Sequence, residues 1–113
     1  MNTKLNVRLE TEETRDIETA VSLLLDSWSF KVHNLNRSAA LRALLYFGID
    51  AVAKGDALSF KELSKEGQRV RAPDWLISLV DALAQKEGRG RTALAASLIS
   101  LGAQKVLESH VTR

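Results

Sequence analysis

The chain has no cysteine, which excludes a disulfide framework and thiolate metal sites and agrees with a reducing cytoplasm. No apolar run approaches the roughly 20 residues that span a bilayer, and no signal-peptide pattern opens the chain, so a cytoplasmic protein without a membrane partner is expected. Charge of the two signs is nearly balanced as well, 16 basic residues against 14 acidic. A net +2 does not by itself argue for nucleic acid, so any such argument must rest on where the arginines sit. There is no Gly-rich phosphate loop, no nucleophile motif and no buried acid pair, and the two histidines, His33 and His110, lie far apart with no carboxylate spacing that suggests a metal site. An enzyme is therefore not expected, nor a metal or other cofactor.

What is present is ordinary globular composition, 45% hydrophobic and 27% charged over 113 residues, enough for one compact domain or two very small units sharing a core. Lys4-Leu5-Asn6-Val7-Arg8-Leu9 alternates strictly between polar and apolar, the period of a half-buried strand. Thr11 then reads as a helix cap, with Glu12 and Glu13 at the positive end of the dipole. Ile17, Ala20, Val21, Leu24 and Leu25 give that helix an apolar stripe. The segment 27–36, SWSFKVHNLN, breaks the pattern. Ser38 reads as the cap of a second helix, with a face of Leu41, Leu44, Leu45, Gly48, Ile49 and Val52.

Residues 54–66 read as a connector with a short helical turn around Phe60 to Leu63. The plan then recurs. Gln68 to Ala72 is short and extended, Pro73 and Asp74 open a helix, Trp75, Leu76, Leu79, Val80 and Leu83 form its stripe, and Gly88 ends it. Thr92 reads as the cap of a last helix carrying Leu94, Leu98, Ile99, Leu101, Gly102 and Val106. RSAALRALLYFGIDAV (37–52) lies over RTALAASLISLGAQKV (91–106) without a gap, each with a glycine at the same mid-helix position. A glycine inside a helix costs about 1 kcal/mol relative to alanine. Its repetition in register points to a place where two backbones approach closely. VRLE (7–10) lies over VRAP (70–73) at a different offset, so the first copy has the longer segment between its helices.

A lone strand cannot be stable in water, and the duplication supplies it with a partner. The expected fold is mainly α with a short β-ribbon: two antiparallel strands over four helices, formed by repeats at 1–53 and 67–113 and a linker at 54–66 within one compact domain. VRAPDWLISLVDALAQKEGRGRTALAASLISLGAQKVL (70–107) resembles the ribbon-helix-helix family, the MetJ/Arc type of DNA-binding protein, and KLNVRL (4–9) followed by 11–53 resembles it a second time. Tandem copies are similar to the TraY-type accessory proteins of conjugative DNA processing, in which one polypeptide folds as the equivalent of a family dimer.

The resemblance implies roles. Ribbon side chains of the family read base edges in the major groove, which maps onto Lys4, Asn6, Arg8, Arg69 and Arg71; position 67, equivalent to Lys4, is glycine. The family also rests the start of each second helix on a phosphate, which maps onto Arg37, Ser38, Arg91 and Thr92, with Arg89 nearby. The competing reading of the strand cations is that they guard a solvated edge against aggregation. Arg37 and Arg91 can equally be solvated helix-end charges, and Ser38 and Thr92 plain caps.

Trp28 and Phe30 are read as core residues, with contact to a partner protein as the alternative, and Trp75 is read as core. Glu12, Glu13, Asp16 and Glu18 are read as helix-start acids. The function expected is sequence-specific binding of double-stranded DNA, as a transcriptional repressor or as an accessory factor in plasmid or mobile-element DNA processing. One ribbon covers few base pairs, so specificity calls for several molecules on adjacent sites or a partner protein. The rival is an antitoxin or other protein-interaction module, against which the short stretch after the last helix counts.

Overall fold

The computed structural model describes the backbone of residues 2–8, 11–58 and 67–111, and the side chains of 15–58 and 72–109. In chain order these residues form β1 (Asn2–Arg8), α1 (Thr11–Leu25), α2 (Trp28–Val32), α3 (Arg37–Ala53), β2 (Gly67–Pro73), α4 (Asp74–Glu87) and α5 (Arg91–Val111). The helical turn expected at 60–63 lies outside the described residues.

The expected architecture, two antiparallel strands over four helices, is corrected. The described chain is a predominantly helical body with five helices, and where side chains are described strand is confined to Ala72 and Pro73. The extra helix is α2, inside the segment that the sequence pattern left irregular. That segment is long enough to close a turn of its own: the Lys31 amide donates to the Ser27 carbonyl at 3.1 Å, and the Leu35 amide to that of Phe30 at 2.9 Å. Asn34 ends it in the left-handed region at φ 51°, a conformation that asparagine tolerates better than most residues.

The core lies between helices. Ile17, Leu44, Leu45, Leu94, Leu98 and Ile99 are completely buried, and α3 crosses α5 as the main packing contact. Gly48 and Gly102 explain how closely. A Cβ on Gly48 would overlap the backbone carbonyl of Leu98, and one on Gly102 would overlap that of Leu44. Leu44 and Leu98 are themselves equivalent in the two copies, as are the glycines, so the crossing has an internal two-fold relation. Any side chain there would push the backbones apart and open the leucine core on both sides.

The helix ends differ from the sequence reading. Ser38 is not the cap of α3. Asn36 is: its side chain accepts a hydrogen bond from the Ala39 amide at 3.1 Å. The equivalent position before α5 is Gly90, whose carbonyl accepts from the Leu94 amide at 3.0 Å. Thr92 is the second residue of α5 and Ser38 the second of α3, two positions too late to cap. Thr11 is likewise already the first residue of α1, and Pro73 is the N-cap of α4 and not its first residue. Gly88 does end α4, at φ 66°, with the Arg89 amide donating to the Ala84 carbonyl at 3.0 Å.

Two tryptophans expected in the core are on the surface. Trp75 is 58% exposed and Trp28 78%, while Phe30 is half-buried against the core. Leu79, placed in the α4 stripe, is also exposed; α4 buries Leu76, Ile77, Val80 and Ala84 instead. The helix is rotated relative to the expected stripe because its inner face must fit against α5, and periodicity alone cannot choose between adjacent apolar faces.

Candidate nucleic-acid interface

β1 and β2 pair antiparallel within the one chain, from Asn2 opposite Pro73 to Arg8 opposite Gly67. Lys4 is opposite Arg71, Asn6 opposite Arg69, and Leu5 opposite Val70. Because alternate residues of a strand share a face, this register places Asn2, Lys4, Asn6, Arg8, Gly67, Arg69, Arg71 and Pro73 on one face of the pair. The other face belongs to Thr3, Leu5, Val7, Gln68, Val70 and Ala72. Ala72 is completely buried in the helical core.

The register positions on the face of Lys4 hold one lysine, three arginines and no carboxylate. The whole chain is only +2, so everything outside this face is net negative. Lys4 directly opposite Arg71 is a like-charge cross-strand pair, an arrangement that weakens an isolated ribbon. Concentrating cations where they repel each other makes physical sense when an anion screens them.

The other predicted residues lie at the starts of α3 and α5, and here the structure adds partners that the sequence reading missed. Arg37 holds Glu18 of α1 through both guanidinium branches, with Nη1 donating to Oε2 at 2.6 Å and Nη2 lying 2.5 Å from Oε1. Arg91 holds Asp81 of α4 in the same bidentate way, with Nε donating to Oδ1 at 2.6 Å and Nη2 to Oδ2 at 2.7 Å. The hydrogen bond from Arg91 keeps the Asp81 carboxyl below its ordinary range, and the same contact raises the guanidinium. Both pairs stand at the surface. Each joins the first helix of a repeat to the start of its second.

Glu18, read earlier as a helix-start acid, is therefore an arginine partner. A signal for it was present: the offset that lays VRLE over VRAP also lays Glu18 over Asp81. Arg89 is exposed between Gly88 and Gly90, close in sequence to Arg91. Ser38 and Thr92 are half-buried in the first turns of their helices. His33 is exposed, and among the described residues no group of histidines and acids could hold a metal ion. Likewise among those residues, no helix is long and apolar enough to cross a membrane.

Comparison of the chain with protein-family models, with curated proteins and with solved structures finds no match.

Proposed function

We propose that this protein binds double-stranded DNA in a sequence-specific manner, as a repressor or as an accessory factor in plasmid or mobile-element DNA processing, without catalysis. The observation that carries the reading is the β1–β2 register, which collects Lys4, Arg8, Arg69 and Arg71 on one acid-free face of an otherwise net-negative chain. A strand pair fits the major groove. Arginine suits guanine there because its planar fork donates to O6 and N7 together, and Asn6 offers adenine a matching donor and acceptor. Each good bidentate contact supplies roughly 1–3 kcal/mol of discrimination.

Arg37 and Arg91, with Ser38, Thr92 and Arg89 beside them, serve as the phosphate contacts in this reading. Their carboxylate partners hold the guanidinium groups beside the helix starts. β1 contributes Lys4, Asn6 and Arg8, whereas β2 contributes Arg71, Arg69 and a glycine, so the site read by one chain is asymmetric.

The test is selection of bound sequences from a random duplex pool, repeated with Arg69→Ala/Arg71→Ala. The wild type should enrich one short asymmetric sequence, and the double variant should lose that enrichment while keeping its helical content. Affinity should fall steeply with salt through counterion release. Enrichment unchanged by the double substitution would remove the strand face from the mechanism. The rival, a protein-interaction module, draws support from the exposure of Trp28 and Val32 on α2; binding of duplex that is absent, or indifferent to salt, would favour it.

A further inference from the structure

The two halves of the molecule match in their core but not on their flanks. On one flank Tyr46 of α3 and Trp75 of α4 meet edge to face, with ring centroids 6.3 Å apart, and Phe47 lies 6.4 Å from Tyr46. All three rings are substantially exposed, as is Leu79 one turn after Trp75. On the equivalent flank the corresponding positions are Ser100 for Tyr46, Glu12 for Trp75 and Asp16 for Leu79. The packing differs too: α1 lies closely along α5, whereas α4 approaches α3 more slightly and leaves its rings uncovered. An apolar cluster of this kind on a small chain marks a contact surface, and here the chain carries it once where its own symmetry offers two places.

The surrounding charge identifies the occupant. Arg42 stands one turn before Tyr46 on the same face of α3, and Asp50 one turn after it. Both are half-buried, Asp50 pairs with Lys54 at 2.9 Å, and Arg42 is likewise engaged within its own chain. A two-fold axis through Tyr46 would run a second α3 antiparallel to the first. It would set each Arg42 against the other chain's Asp50, twice, with the rings between them. The patch is complementary to itself in charge. We infer that the Tyr46–Trp75 flank is the contact between two copies of this chain, joined by a two-fold axis at α3.

Such a contact is closed. Each chain spends this flank on the other, and the flank bearing Asp16 and Ser100 offers nothing equivalent among the described residues, so this contact stops at two. Side-chain burial also removes the exposed Trp75, Tyr46 and Leu79 from water together, the aromatic anchor expected at the centre of a specific interface. The inference does not rest on DNA binding. If that reading holds as well, the dimer presents two asymmetric strand faces related by a two-fold axis, and the full site becomes an inverted repeat.

The experiment is sedimentation of the full chain without DNA across roughly 1–200 μM, the range that resolves micromolar dissociation constants. The wild type should sediment at twice 12.5 kDa, and Tyr46→Glu/Trp75→Glu should be monomeric with an unchanged helical spectrum. Arg42→Asp alone should weaken the dimer about tenfold through like-charge contacts made twice. The exchange Arg42→Asp/Asp50→Arg should restore it, because the exchanged pair is still self-complementary about the axis. Asp16→Lys, on the opposite flank, should change nothing. A monomeric wild type, an open-ended polymer, a dimer indifferent to Tyr46→Glu/Trp75→Glu, or a charge exchange without rescue would each overturn the proposal. The charge variants lie outside the fully buried core, so they keep the test decisive if the double glutamate variant fails to fold. Duplex binding by a wild-type monomer would leave the proposed function standing and remove only the dimer.

Discussion

The two repeats solve the same joint in different ways. The second passes from α4 to α5 through Gly88, Arg89 and Gly90; the first spends residues 26–36 on the same passage and folds α2 on the way. Yet both arrive at one geometry. Arg37 reaches Glu18 as Arg91 reaches Asp81, and Gly48 meets Leu98 as Gly102 meets Leu44. The comparison teaches that the helix crossing, and not the connector, determines where the second helix of each repeat begins. A surface connector can lengthen at small entropic cost, because closure entropy grows only slowly with loop length. A crossing built on carbonyl-to-glycine contact tolerates almost no change.

The largest expected effect attacks what the repeats share. Gly48→Ala and Gly102→Ala should each cost about 3 kcal/mol, since the added methyl meets backbone carbonyl and not a movable side chain. Denaturant midpoints should fall alike for both, and a tolerated substitution at either glycine would break the two-fold relation. Next come the helix caps, where the repeats differ. Asn36→Ala should cost about 1 kcal/mol by freeing the Ala39 amide. Gly90→Asn, which installs the same acceptor before α5, should gain a few tenths of a kcal/mol; an equal loss on both sides would mean that the two starts are not equivalent.

Smaller again is the carboxylate pair. Asp81→Asn should cost less than about 1 kcal/mol at neutral pH, because the ion pair is solvent-exposed. Its pH dependence has a definite sign. The folded state holds the Asp81 carboxyl below its ordinary range, so the stabilisation is present above the unfolded carboxylate's pKa and is lost as pH falls through the lowered folded value. Urea titrations at several acidic pH values should therefore show a shallower acid loss in Asp81→Asn than in the wild type. Least of all, Trp28→Ser should leave stability within about 0.5 kcal/mol, since the ring touches solvent on most of its surface. A large loss would place α2 in the shared core after all.

Much of this was legible in the residues. Repetition of the glycine at one offset announced close backbone approach, and the α1, α3 and α5 stripes matched what is buried. The alternation at 4–9 placed its cations on one side of a strand. The caps were misread because Ser38 and Thr92 are good cap residues in the right neighbourhood, and only the position of the first helical hydrogen bond distinguishes them from Asn36. Trp75 was misread because a tryptophan at the start of an apolar stripe has the composition of a core residue. Its exposure depends on how far α3 stands from α4, a distance that no local pattern encodes. Arg37 and Arg91 were assigned to a ligand without their carboxylates, although Glu18 and Asp81 occupy equivalent positions.

By itself the chain's order of residues determined the local facts: the two extended runs, four of the five described helices, the apolar sides of α1, α3 and α5, and that the plan occurs twice. Those follow from backbone sterics and the periods of strand and helix, which act over a few residues. Tertiary structure alone decided which carbonyl lies over each glycine, which acid holds each arginine, in what register the two strands pair, and which flank keeps its aromatic rings in water. These depend on residues of different elements meeting in space, 10 positions apart for Asp81 and Arg91 and 58 for Leu44 and Gly102, and the free energy of such a meeting belongs to the whole packed core.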